Sequence, residues 1–167
     1  MKNVLPKDLN DNFFKRIGEE YMLITVTDKD GRVNTMTAGW GGVGVMWWKP
    51  ICVGVIRPQR YTNELAALND RMTFTFFGDE KKDALKICGT VSGRDCDKIA
   101  LAGLKTVREE DYAYFDGAEL VLVCKKIYVD KIKEDCFVDK SIIDSKYPNK
   151  DFHTVYVCEI EKVLIKD

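Results

Sequence analysis

The sequence predicts one mainly β domain: an antiparallel barrel, closed or partly closed, with helical insertions. Three observations lead there. The 167 residues, 46% apolar and 32% charged, suffice for one sizeable core and are too few for two ordinary domains, so residues 1–167 read as a single unit. Segments rich in β-branched and aromatic residues outnumber helical ones. Several strands follow one another directly, which favours antiparallel neighbours over a doubly wound parallel sheet.

Residues 21–27 (YMLITVT) have strand composition, and Asp28-Lys29-Asp30-Gly31 is a turn signal opening onto a second extended run over 32–37, a hairpin. Residues 51–56 (ICVGVI) form a short apolar run bounded by Pro50 and by Arg57-Pro58, as a buried strand requires. A helix follows, with Thr62 as its expected cap, Glu64 in its first turn and Leu65, Ala66 and Leu68 at helical spacing. Residues 72–77 (MTFTFF) alternate Phe with Thr, the period of a half-buried strand. Residues 79–88 carry Ala84, Leu85, Ile87 and Cys88 behind an acidic start and predict a second helix; Asp95 is the expected cap of a third, ended by Gly103. Residues 119–128 and 154–165 are long, β-branched and partly alternating, so they predict strands late in the sheet.

Composition narrows the function. With 26 Lys+Arg against 27 Asp+Glu, the chain lacks the basic excess of a non-specific nucleic-acid binder. Its longest apolar stretches are far shorter than the roughly 20 residues that cross a bilayer, so no membrane partner is expected. The first ten residues lack an apolar signal region, which makes a reducing cytoplasm the default compartment. The six cysteines form no CxxC pair, and Cys52, Cys124 and Cys158 lie in apolar runs where a thiol acts as a small hydrophobe. One histidine, His153, excludes multi-histidine metal sites, and no metal site is expected. No serine or cysteine stands in a nucleophile motif.

Two stretches could carry chemistry. Residues 34–50 (NTMTAGWGGVGVMWWKP) concentrate glycine and tryptophan. Glycines let backbone approach a flat ligand, and Thr35, Thr37 and main-chain amides could bond it; a glycine-containing bulged strand with its tryptophans in a core or interface is the equal alternative. No amphipathic helix follows these glycines, so they are no dinucleotide fingerprint. Residues 57–62 (RPQRYT) lie between a strand and a helix start, where two guanidinium groups, a hydroxyl and first-turn amides suit a phosphate; surface cations and an ordinary cap are the plain alternative. Taken alone, residues 90–98 read as a loop entering a helix, and His153 as a structural side chain.

Together the segments are more specific. NTMTAGW at 34–40, KPICVGVIRPQRYTNEL at 49–65, GTVSGRDCDKIALAGL at 89–104 and a late histidine in a strand context resemble the flavin reductase-like FMN-binding proteins, within them the flavoredoxin group, over about residues 21–160. The resemblance implies an FMN-binding split β-barrel of Greek-key type, a homodimer with one FMN per subunit held without a covalent bond at the dimer interface. It implies that Asn34, Thr35, Met36, Thr37, Ala38, Gly39 and Trp40 line the isoalloxazine ring, that Arg57, Arg60, Tyr61 and Thr62 hold the ribityl phosphate, and that Ser92, Gly93 and Arg94 approach the flavin. His153, the candidate catalytic residue, would stand near the ring edge; Phe152 precedes it where many relatives carry an acidic or small residue. Three functions follow as expectations: a flavin reductase that takes hydride from NADH or NADPH, an electron carrier with a tightly held FMN and a protein redox partner, or a non-enzymatic barrel binding module.

Overall fold

Period-two burial organises the sheet, because its central strands send alternate residues into two separate cores. In the computed structural model, which describes residues 1–167, the main sheet runs in the order β3 (Val33–Ala38), β2 (Met22–Thr27), β6 (Arg71–Phe76), β9 (Leu120–Lys131), β10 (Thr154–Ile165), β5 (Lys49–Ile56), β4 (Gly41–Met46). A short β1 (Lys2–Val4) pairs with the end of β10, and β7 (Thr106–Arg108) and β8 (Ala113–Phe115) form a separate hairpin. Every pairing is antiparallel. The helices are short: α1 (Phe13–Gly18), α2 (Tyr61–Leu68), α3 (Lys82–Thr90), α4 (Lys98–Leu101) and α5 (Ser141–Lys146). No helix is long and apolar enough to cross a membrane.

Met22, Ile24 and Val26 of β2, Met72, Phe74 and Phe76 of β6, and Leu120, Leu122 and Cys124 of β9 enter one core, beneath α2. Leu23, Val121 and Val123 face the other way, into a second core with Ala84, Leu85 and Cys88 of α3 and Phe115 of β8. Strands buried on both faces read as nearly continuous apolar runs, which is why LVLVC in β9 alternates only in part. Cys52, Cys124 and Cys158 are fully buried free thiols, in keeping with their apolar surroundings in the sequence.

Three local expectations are corrected. Thr62 does not cap α2: Arg60 holds the cap position without a side-chain bond, and Thr62 is buried in the first turn. Asp97, not Asp95, caps the following helix, accepting from the amides of Ile99 and Ala100. The tryptophans are in no core. Residues 41–46 form a regular strand that joins β5 through a two-residue turn, Trp47-Trp48, with φ of 53° and 59°. Left-handed backbone at both positions gives the turn the twist that a tight hairpin needs, at a cost on the order of 1–2 kcal/mol for each non-glycine residue. Trp48 is 98% exposed and Trp47 57%, the latter tilted against Tyr128.

Candidate functional site

Because β3 ends the sheet path, one of its edges has no strand partner, and its outward amides and carbonyls are available to a ligand. The start of α2, the loop after α3 and the start of β10 converge on this edge. They divide it into two ends.

At the first end lies a hollow of about 430 Å³ whose lining includes Asn34, Tyr61, Gly93, Arg94 and Lys98. Asn34 reaches from β3 to α2, donating from Nδ2 to Thr62 Oγ1 at 2.7 Å. A Cβ on Gly93 would overlap Asn34 Oδ1, so glycine lets the loop pass close over the asparagine. Lys98 is only 4% exposed, and its Nζ donates to the carbonyls of Cys88 at 3.2 Å and Val91 at 3.1 Å, with no carboxylate in reach. Burial lowers its ionisation below the ordinary lysine range, and the neighbouring Arg60 adds to the effect. Arg60 has neither ion pair nor side-chain bond. Arg60 and Lys98 make no ion pair, and although Asp95 and Asp97 also line the first hollow, Arg32, Arg94, Lys98 and Arg108 outnumber them, an environment suited to an anion.

The second end is a smaller hollow of about 170 Å³, lined by Met36, Thr37, Ala38, Gly39, Trp40, Val55, Arg57, Arg60 and His153. Tyr21 packs its ring on Gly39, where a Cβ would come within 2.6 Å of it. Trp40 lies tilted over His153, with ring centroids 5.1 Å apart. His153 is 7% exposed and its Nδ1 is 2.9 Å from the Tyr147 hydroxyl. Burial, reinforced by the Arg57 charge, lowers its pKa to about 4, so the imidazole is neutral at pH 7.

Most of the expected residues therefore gather along one edge, but Asn34, expected with the ring-lining residues, lies at the first end, and four other side chains are committed elsewhere. Thr35 turns away: its hydroxyl is buried against Thr25 Oγ1 at 2.9 Å and donates to the Ile24 carbonyl. Thr37 likewise donates to the Leu85 carbonyl on α3, leaving only its main chain at the edge. Arg57 and Arg94 are engaged by protein groups. Arg57 pairs with Asp151 at 2.5 Å, donates to the Lys146 carbonyl and lies over the Tyr147 ring, so it fastens residues 146–151 beside His153; Arg94 pairs with Glu64 and lies over Tyr61. Ser92 accepts from the Arg94 amide and shapes the loop. The sequence reading missed Lys98 and Tyr147. No pattern marks a lysine after a helix cap as buried, whereas Tyr147 sits only six positions before His153, a spacing that could have drawn notice.

The family model for the flavin reductase like domain matches residues 14–167. Among solved structures, the chain is similar to the flavoredoxin of Desulfovibrio vulgaris (Miyazaki F), with TM-score 0.69 and 23% identity over 88% of this chain and 69% of that one. It is similar to an FMN-binding protein from Thermus thermophilus with bound p-hydroxybenzaldehyde, with TM-score 0.69 and 20% identity over 100% and 83%. The styrene monooxygenase flavin reductase from Pseudomonas putida S12 matches with TM-score 0.66 and 12% identity over 89% and 80%. A search of curated protein sequences finds no significant match. At these identities the structural likenesses establish the fold.

Proposed function

The chain belongs to the flavin reductase-like domain family, and from that premise we propose that it binds FMN along the open edge of β3 and acts as an NAD(P)H-dependent flavin reductase. The observation that carries this reading is a pair of neighbouring cations without ion pairs, Lys98 lining the first hollow and Arg60 the second, beside the aromatic pocket of Trp40 and His153. A phosphate suits the first end and a flat ring the second. Arg60, Lys98, Asn34, Tyr61 and Thr62 would hold the phosphate, with Gly93 making room; main chain of 36–40, together with Trp40, would hold the ring. When bound, FMN supplies the redox chemistry, taking hydride from a nicotinamide.

The chain's own residues bind, orient and exclude water. His153, neutral at pH 7, adds no charge to the pocket and would order a nicotinamide by hydrogen bonding. Anaerobic addition of NADH or NADPH to the FMN-loaded protein should bleach the flavin within turnover times and reduce added free flavin catalytically. Failure of both nucleotides would overturn the reductase reading. A second reading, an electron carrier serving a protein partner, is supported by the likeness of the fold to a flavoredoxin. Reduction by dithionite but not by pyridine nucleotides is its signature.

The homodimer expectation belongs to the same proposal. Val45, Met46, Trp47, Trp48, Tyr128 and Val129 are all exposed in the single chain, and aromatic residues and Met favour interface cores. Light scattering of the FMN-loaded protein at micromolar concentration tests it, a mass of 19.1 kDa being the contrary result.

A further inference from the structure

Tyr147 follows α5 directly, is 3% exposed, and makes one side-chain hydrogen bond, to Nδ1 of His153 at 2.9 Å. Burial keeps its phenol protonated well past neutral pH. A buried phenol hydrogen without an acceptor is unfavourable, and Nδ1 is the acceptor within reach, so the O–H donates and Nδ1 receives. A neutral imidazole that accepts at Nδ1 carries its hydrogen on Nε2. Nε2 has no protein partner, and it is not among the sealed, unpaired polar atoms of the fold, which are Thr27 Oγ1, Thr75 Oγ1 and Asp151 Oδ1. The residue lines the ring-end hollow.

We infer that Tyr147 is a positioning residue that locks His153 in the Nε2–H tautomer, so that the imidazole gives the ring-end pocket a neutral hydrogen-bond donor rather than a base. The charged groups around the ring are Arg57 from the end of β5 and Asp151 from the segment before β10, paired with each other, and Arg60 at the start of α2, which lines the same hollow; Tyr147 supplies the one neutral polar contact, and Trp40 covers a face. The pocket therefore selects an occupant that presents an acceptor atom, such as a ring carbonyl oxygen or the oxygen of a carboxamide. That choice of occupant rests on the flavin-site reading; the tautomer does not.

The chain has one histidine, so nitrogen-15 NMR of histidine-labelled protein reports on His153 alone. In the unmodified protein we expect a hydrogen on Nε2, an accepting Nδ1, and no titration near the ordinary midpoint of 6.5. Tyr147→Phe, which removes one oxygen, should move the Nδ1 resonance toward that of an unbonded nitrogen. A hydrogen on Nδ1 in the unmodified protein, a midpoint near 6.5, or an unmoved Nδ1 resonance in Tyr147→Phe overturns the inference. Should the variant not fold, the tautomer and titration of the unmodified protein decide. FMN binding is read separately, by absorbance titration of the same samples, so failure of the flavin reading leaves the tautomer result standing.

Discussion

Asn34 Nδ2 donates to Thr62 Oγ1 across 28 positions of sequence, and this one bond joins the edge strand β3 to the first turn of α2. Since the Thr62 oxygen accepts here, its own hydrogen is left to point elsewhere. The bond fixes the first turn of α2 against β3, so an anion seated beside it meets cations from the start of α2, Arg60, and from α4, Lys98. A phosphate gains charge-assisted bonds from the two cations.

Arg60→Ala should weaken FMN by about 1.5–3 kcal/mol and leave riboflavin affinity nearly unchanged, because the guanidinium answers only the phosphate. Parallel fluorescence titrations with both ligands check it. Equal affinities of the unmodified protein for FMN and riboflavin would remove the phosphate assignment.

Lys98→Met should destabilise the flavin-free protein by no more than about 1–3 kcal/mol, since relief of a buried charge that no carboxylate balances offsets the loss of its bonds to the Cys88 and Val91 carbonyls. The rise in thermal midpoint on adding saturating FMN should shrink, reporting affinity lost by about tenfold or more. A large drop in the flavin-free midpoint with an undiminished FMN increment would make Lys98 a structural residue only.

Acid should weaken the fold through His153 before the carboxylates respond. Its pKa is about 4 when folded against 6.5 as the ordinary value, so between these limits the unfolded chain binds more protons. The contribution is complete above pH 6.5 and is lost as pH falls toward 4, roughly 3 kcal/mol in all. Asp28 and Asp151, held below the usual carboxylate range, lose their contributions only as pH drops below 3.8. Denaturant melts of the unmodified protein and of His153→Gln across this range should differ in slope between pH 4 and 6.5; parallel curves would refute the assignment.

Replacing Trp47-Trp48 with Asn-Gly should stabilise the isolated chain by about 1–3 kcal/mol, because those residues adopt the left-handed turn with little strain. In light scattering the same change should shift the protein toward monomer. A variant that is less stable, and associates as before, would leave the hairpin tip without the role given to it.

The sequence made the central strands legible because burial on alternating faces leaves period-two or continuous apolar runs, as in residues 72–77 and 119–128. It made the site's location legible because threonines and Gly39 mark the edge strand β3 and its end and arginines flank a helix start, whereas Gly41, Gly42 and Gly44 belong to β4 at the other end of the sheet. What it concealed was commitment. Nothing along the chain shows that Arg57 spends its charge on Asp151 while Arg60 keeps its own free, since both partners meet only after residues 146–153 fold back. Lys98 was hidden for the same reason: its burial depends on α3 ending over it. The short β1, β7 and β8, each of three residues, are too brief to show a period.

β10 pairs along its length with β9, while its other side takes β5 and then β1, with Lys2 opposite Ile165. Three strands made earlier therefore wait on the last one. Until residues 154–165 leave the ribosome, β5 and β9 each hold an unpaired apolar edge, the kind that other nascent chains can extend. Pairing of these edges must await residues 154–165, and a chaperone that shields strand edges would raise the yield of folded protein more than one that speeds local helix formation.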